Sequence, residues 1–465
     1  MEWLITEKHP ALASREEKET FFSLKRLSTV QKLVLGYLLT ILVFTGLFML
    51  PLSSAAHRSQ PFIDSLFVAT SGISTTGLTP VDISRDYSLF GQIVLLIDFQ
   101  VGGIGYMAIV VWLAVFLKRR LSIKSHLLAA ESLAGAQPGN NSHFFRSVIV
   151  LTIFFEFVAG IILTGFWARQ FPLPKAIYFG IFHSVSAFCT AGFSLFSDSL
   201  ASYQSNILIN AVISITSLFG AIGFFVLSEF VYRIGDRIKK RKAKRLSVHT
   251  RLAIFVTLVI IFSATAIIYF SETWPADRGS FQNLTSSMFQ AVSASTTDGF
   301  NTINIGGMSV TSLIIIMMLM FIGASPGSTG GGIKTTTLGI IALSTRSQLR
   351  SQEQVNLFKR HVPDEIIRKA YLVLALSLSV IIIDVLILTR TEKIPFLSLF
   401  FETVSALGNT GLSMGVTSSL SWIGKLLLSI TMFIGRVGPI TIGLALAGER
   451  RAAHFQYADG EIFAG

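Results

Sequence analysis

A single cysteine, Cys189, stands among 465 residues, so no disulfide can close within this chain. Charge is scarce as well: Asp, Glu, Lys and Arg together make up 14%, where soluble domains carry about 25%. The first thirty residues are charged and lack an early apolar core, so no cleavable secretory signal is read there. No spacing of His, Cys, Asp or Glu suggests zinc, haem or a catalytic triad, and no G-x-G-x-x-G follows a strand. These absences argue against an enzyme and against a dinucleotide site within the chain itself.

Apolar sequence is abundant instead, at 51% with a mean hydropathy of +0.64, which places the chain among membrane proteins. Eight stretches are long enough to cross about 30 Å of hydrocarbon. Four leading spans are expected over 30–52, 147–168, 251–270 and 370–390, and four trailing spans over 88–117, 206–231, 309–343 and 421–447. An even number of spans puts both termini on one side. The segments 118–146, 232–251 and 344–369 hold twenty Lys or Arg, against seven in the segments between leading and trailing spans. The positive-inside bias therefore makes the former cytoplasmic. The same basic residues account for the net charge of +12. A run such as 237–245 beside a span sets topology and touches anionic lipid rather than nucleic acid.

One string recurs four times between leading and trailing spans. Phe67, Ser71 and Gly77 share their spacing with Phe182, Ser186 and Gly192, with Phe289, Ser293 and Gly299, and with Phe401, Ser405 and Gly411. One such glycine would be an ordinary turn; four in register, each with the same Phe and Ser upstream, point to one unit used four times. The runs 62–71, 176–186, 283–293 and 396–405 are too short to span a bilayer but apolar enough to enter it. Half-helices entering from outside aim carbonyl ends at the membrane centre, which favours a cation there. The chain then returns through Thr75, Thr76 and Gly77, through Thr190, Ala191 and Gly192, through Thr297, Asp298 and Gly299, and through Asn409, Thr410 and Gly411. Irregular backbone at membrane depth must be buried or line water, and rings of its carbonyls can replace the hydration shell of potassium. These twelve residues are the expected selectivity filter.

The trailing spans carry a second mark: Gly102-Gly103-Ile104-Gly105, Gly220-Ala221-Ile222-Gly223 and Gly435-Arg436-Val437-Gly438. Its glycines read as close helix packing. Arg436, a guanidinium mid-span, is expected to face the bundle interior or water. In the third repeat the corresponding stretch is Gly323, Ala324, Ser325, Pro326, Gly327, Ser328, Thr329, Gly330, Gly331, Gly332, Ile333, Lys334 and Thr335. Glycine and proline at that density break a helix, so the third trailing span is expected to be interrupted inside the membrane. The stretch is no Walker loop, because Ile333 stands where that motif needs glycine and no strand precedes it. Glu402 is read either as a brace behind the filter or as an ordinary buried partner. Asp298 either faces the outer mouth or tucks behind its segment. Asp98, Glu156 and Asp384 are expected to anchor helix to helix, and His183 and Cys189 to pack.

The layout resembles the Trk/Ktr/HKT superfamily of potassium transporters over nearly the whole sequence from about residue 30, and within it the KtrB branch. The stretch from Gly323 to Thr335 is similar to the intramembrane loop that gates Ktr and Trk proteins. The resemblance implies that the loop, with Lys334, forms a gate below the filter and that Arg436 sits near it as a cationic obstacle or a partner for its carbonyls. It also implies a homodimer on a cytoplasmic ring of RCK subunits similar to KtrA, with ATP or ADP bound by that partner rather than by this chain. One glycine per filter segment, where potassium channels generally have two, implies looser exclusion of sodium.

The expected fold is an all-α membrane protein with eight transmembrane helices in four pseudo-repeats around one central pore, each a helix, a re-entrant pore loop and a helix. Its divisions are a cytoplasmic arm over 1–29, repeats over 30–117, 118–231, 232–343 and 344–447 with their cytoplasmic loops, and a cytoplasmic tail over 448–465. The expected function is potassium uptake through the plasma (inner) membrane, with sodium as a possible second ion. Three alternatives stay open: a sodium- or proton-coupled symporter, a TrkH-type subunit, and a non-transporting receptor or scaffold. Anionic lipid at the basic loops, and docking through those loops and through 455–465, complete the expected partners; nucleic acid is not among them.

Overall fold

The computed structural model describes residues 28–105, 141–241, 245–273 and 281–447. The expected N-terminal arm up to residue 27, most of the loop over 118–146, and the tail with its docking surface lie outside the described residues. The chain runs through α1 (Thr29–Met49), α2 (Phe62–Ile73), the single turn α3 (Ile83–Asp86) and α4 (Leu89–Ile104). It continues with α5 (Asn141–Trp167), α6 (Leu173–Phe188), α7 (Ile207–Ala221) and α8 (Phe224–Ile238). Then come α9 (Val248–Thr273), α10 (Phe281–Thr296), α11 (Val310–Ile322) and α12 (Thr335–Leu349). After the antiparallel pair β1 (Asn356–Leu357) and β2 (Arg360–His361), with Leu357 opposite Arg360, the chain ends in α13 (Asp364–Thr391), α14 (Phe396–Gly408), α15 (Trp422–Val437) and α16 (Pro439–Ala447).

Local chemistry explains where these helices begin. Proline sits at the N-cap of α2, α6 and α14 as Pro61, Pro172 and Pro395. Its fixed φ and missing N–H suit a helix start. The short helices therefore start at or before their expected first residues and run on past the repeated serine, so all four are longer than their apolar runs suggested. The helices that follow the four glycines open on Ser88, Asn206, Ser309 and Ser421, whose side chains accept from Gly91, Ile209, Ser312 and Gly424 amides. Such caps satisfy amides that have no partner within the helix.

Among the described residues, four helices, within α1, α5, α9 and α13, are long and apolar enough to cross a membrane, and six candidates result if each bent pair counts as one. The bends correct the expectation that only the third trailing span breaks. α7 and α8 meet at 97°, and α15 and α16 at 98°. The physical cause is a glycine in the left-handed region at each corner, Gly223 at φ 100° and Gly438 at φ 93°. The glycine mark thus has two roles. A Cβ on Gly102, Gly220 or Gly435 would strike the carbonyls of Ile73, Phe188 or Leu407, at the ends of α2, α6 and α14. These first glycines pack as expected; Gly223 and Gly438 turn the chain.

The core closes the four quarters on one another. One buried cluster joins Phe48, Phe99, Trp167, Phe182 and Phe193 and reaches Phe289 and Phe300. A second joins Ile268, Met320, Val385 and Phe401. A third brings Phe67 and Leu78 from the first quarter against Leu388, Leu399, Leu428 and Met432 from the last. Lys425 of α15 meets Asp64 of α2 at 2.6 Å across the same seam. The repeated phenylalanines are all buried, so Phe401→Ala should lower stability by about 3–5 kcal/mol. Thermal unfolding in detergent measures it, and an unchanged midpoint would contradict this packing.

Candidate functional site

Each of the four short helices ends in the same way. A left-handed residue follows its last turns, Thr75, Thr190, Thr297 and Asn409, at φ between 50° and 58°. Two residues later a glycine is again left-handed: Gly77, Gly192, Gly299 and Gly411. Between them, the amides of Thr76, Ala191, Asp298 and Thr410 donate to the carbonyls of Ser71, Ser186, Ser293 and Ser405 at 2.8–2.9 Å. The serine hydroxyls provide a second tie. Ser71 and Ser405 accept from the Gly77 and Gly411 amides at 3.0 and 3.1 Å. Ser186 and Ser293 donate to the Phe193 and Phe300 carbonyls at 2.9 and 2.7 Å. The serine repeats in sequence because it fastens the turn in every quarter.

The four turns form a closed cycle. A Cβ on Gly77 would collide with the Ala191 carbonyl, on Gly192 with that of Asp298, on Gly299 with that of Thr410, and on Gly411 with that of Thr76. Each glycine thus abuts the carbonyl just ahead of the next glycine, and the fourth returns to the first. On one side of the cycle all four glycines line a cavity of about 500 Å³ together with Thr79, Asp82, Asp86, Ser194, Ser197 and Asn301. Burial pushes the Asp82 carboxyl up, but hydrogen bonds from Ser197 and Ser84 and the Arg85 guanidinium outweigh it and hold the group below the usual range.

The glycine-rich stretch lies on the other side. Thr329 donates through its hydroxyl to the Phe188 carbonyl at 3.0 Å and meets the Thr190 hydroxyl at 3.2 Å. Its carbonyl accepts from the Thr75 hydroxyl at 3.1 Å. The Gly331 amide donates to the Thr297 hydroxyl at 3.0 Å, and Gly331 packs on Gly408 and Asn409. Thr329 and Gly331 between them therefore touch the left-handed position of all four turns. Gly330 packs against Thr296 and Thr297, and Gly332, at φ 78°, against Gly323, at φ 67°. Ser325 bonds Thr335 at 2.9 Å and Ser328 donates to the Ser325 carbonyl at 2.6 Å. The Pro326 carbonyl abuts Gly223, and Gly327 accepts from the Phe224 amide at 2.8 Å.

Two cations hold this stretch. Arg436 donates to the carbonyls of Thr329 and Gly102 and, at 3.2 Å, to the Thr75 hydroxyl. Lys334 donates to the carbonyls of Gly330 at 2.7 Å and Gly331 at 3.1 Å. Three successive carbonyls are each taken by a positive side chain. Comparison with known proteins then fixes the family: the model of the TrkH cation transport proteins matches residues 39–452. The chain belongs to the TrkH family.

Among TrkH-family relatives, the chain is 35% identical to Ktr system potassium uptake protein B of Bacillus subtilis, over 97% of this chain and 99% of that protein. It is 31% identical to the potassium/sodium uptake protein NtpJ of Enterococcus hirae, over 95% and 98%. The crystal structure of the potassium transporter TrkH from Vibrio parahaemolyticus superposes with a TM-score of 0.68 at 20% identity, covering 88% of this chain and 84% of that one. The expected family and predominantly helical fold are thereby established.

The other charged candidates are buried, and none of them lines the cavity. Asp298 is buried beside Ser217 and absent from the cavity wall. Glu402 accepts from the Ser413 and Thr417 hydroxyls at 2.5 and 2.9 Å and from the Met414 amide at 3.2 Å. Glu156 accepts from Gln100 at 3.3 Å and Asp384 from Thr431, so both link helices, while Asp98 lies against Gly72. Cys189 packs on Gly103. Two features escaped the sequence reading. His183 is more than packing, since its Nδ1 donates to the Phe179 carbonyl at 2.8 Å and its Nε2 accepts from the Leu195 amide at 3.3 Å. Glu272 and Glu392 hold the caps at Ser309 and Ser421; the Ser or Asn ahead of each apolar run was the available signal.

Removing Ser186 or Ser293 hydroxyls strands a buried carbonyl, so Ser186→Ala and Ser293→Ala should each cost about 1–3 kcal/mol. Chemical or thermal unfolding reads this, and two neutral variants would show that the hydroxyl tie does not matter.

Proposed function

We propose that this chain is the pore-forming subunit of a potassium uptake system, and that the cycle of four turns is its selectivity filter. The closed arrangement of four glycines around one polar cavity carries the reading. In it, Thr75, Thr76 and Gly77 and their counterparts in the other three repeats present backbone oxygen to a dehydrated cation. Thr76, Ala191, Asp298 and Thr410 supply one carbonyl each at the level of the glycines. The names of the Bacillus and Enterococcus relatives support potassium as cargo. Membrane potential supplies the driving force, about 2.3 kcal/mol per elementary charge at 100 mV.

The protein is arranged as four pseudo-repeats over 30–117, 118–231, 232–343 and 344–447, with eight spans about one pore, both termini cytoplasmic, in the plasma membrane. The stretch from Gly323 to Lys334 and Arg436 form the gate. Positive charge fixed on three carbonyls beneath the filter opposes a permeating cation by repulsion and by occupying the oxygens it would use. Regulation comes from a homodimer seated on a cytoplasmic RCK ring that binds the nucleotide, with anionic lipid at the basic loops. The names of the Ktr system relatives support a partnership with other components of such a system.

A second reading, coupled or mixed transport of sodium, is favoured by the likeness to a potassium/sodium uptake protein. Rubidium uptake into liposomes, with and without sodium and across pH, separates the two.

Complementation of a potassium-uptake-deficient bacterium should succeed with the native chain and fail with Gly299→Ser, whose side chain meets the Thr410 carbonyl. Growth with that variant would argue against the filter. Deleting residues 327–332, or Arg436→Ala, should raise rubidium flux severalfold; unchanged flux in both would remove the gate. Because its carboxyl titrates low, Asp82 keeps its charge as external pH falls from about 7 to about 5. Asp82→Asn should therefore lower flux at low ionic strength equally at both pH values. An effect confined to the higher pH would contradict the assignment.

A further inference from the structure

The residues that follow the four repeated phenylalanines have nothing in common as side chains: Val68, His183, Gln290 and Glu402. All four are buried. Three of them nonetheless make the same contact. The Leu195 amide donates to His183 Nε2 at 3.3 Å, the Thr302 amide to Gln290 Oε1 at 3.1 Å, and the Met414 amide to Glu402 Oε1 at 3.2 Å. In every case the donor lies three residues beyond its glycine. In the first repeat the acceptor is missing, since Val68 offers none. The residue three beyond Gly77 is Pro80, which has no N–H to satisfy. Donor and acceptor are present together three times and absent together once.

The geometry of the short helix explains the pairing. The residue after the phenylalanine and the repeated serine are three apart, so they share a helix face. The serine ties the chain at the glycine; the other residue ties it three residues further out. Between these two ties lies the outgoing half of the turn. An amide at that position, buried and without a partner, would pull away from its helix toward water in the cavity.

We propose that Glu402, Gln290 and His183 are positioning residues that set how closely the glycine-bearing segments approach the pore axis, and so set selectivity between potassium and sodium. They touch no ion; each acts through one backbone amide. The inference rests on the filter reading of the cycle. The ties are graded. Glu402 holds Ser413 and Thr417 as well as the amide, His183 is fixed in one tautomer by the Phe179 carbonyl, Gln290 gives a single acceptor, and the first repeat has none. The fourth segment is thus the most firmly held and the first the least.

The test uses the full chain in liposomes, with the rubidium-over-sodium permeability ratio as readout. Glu402→Gln keeps an acceptor, as the third repeat does naturally, and should stay within about twofold of the native ratio. Glu402→Leu and Gln290→Leu should each lower the ratio about tenfold with flux retained, the scale of one buried amide losing its partner. Thr302→Pro added to Gln290→Leu copies the first repeat and should restore most of the loss. Should a leucine variant not fold, Val68→Gln with Pro80→Ala installs the missing tie, and the ratio should rise. Leucine variants with the native ratio, a glutamine variant that falls as far as leucine, or an installed tie without effect would overturn the proposal. Absence of uptake by the native chain, or insensitivity to Gly299→Ser, would instead count against the filter itself.

Discussion

Non-helical backbone inside a membrane-spanning body has to find hydrogen-bond partners within the protein, because hydrocarbon offers none. Nearly every unusual feature of this chain follows from that constraint. The four turns are irregular, and each is fastened by the same serine through its carbonyl and its hydroxyl. The glycine-rich stretch is irregular over a longer distance, and its amides and carbonyls go to α7, to the turns and to two cationic side chains. Where no partner could be supplied, the donor itself is missing, as at Pro80.

The same constraint separates what the repeats share from what they do not. A closed cycle of glycines against carbonyls requires equivalent backbone in all four, and the string F-x3-S-x5-G supplies it. On the opposite side of the cycle no such equivalence is needed. One stretch from the third quarter and one arginine from the fourth cover all four turns. The contact of glycine with carbonyl therefore repeats four times around the cycle, while the contacts on the other side do not repeat.

Much of this was legible in sequence because it depends on residue type. Phe, Ser and Gly recur at fixed spacing, and the cluster of glycines around Pro326 can only break a helix. The corners at Gly223 and Gly438 were not legible. A lone glycine in an apolar run costs a helix only about 1 kcal/mol, so it reads equally well as packing, which is what Gly102, Gly220 and Gly435 do. Only the neighbouring chain, Pro326 beside Gly223, reveals the turn. The ties at His183, Gln290 and Glu402 stayed hidden for another reason: any acceptor serves, so the geometry repeats while the letter does not. The two-residue strands β1 and β2 are too short for any alternation to show.

The corner between α7 and α8 is spliced into the glycine-rich stretch. The Ser325 and Thr329 amides donate to the Ala221 and Gly220 carbonyls, and the Phe224 amide donates back to Gly327. Parting them would forfeit three buried backbone hydrogen bonds, roughly 2–4 kcal/mol in all. The stretch is therefore less a flap hinged at its own ends than one half of a joint whose other half is the top of α8. That helix runs from the joint to Ile238 and carries Arg233 and Arg237 of the basic segment in its last turns. The stretch whose carbonyls Arg436 and Lys334 hold is thus tied, backbone to backbone, to the first residue of α8.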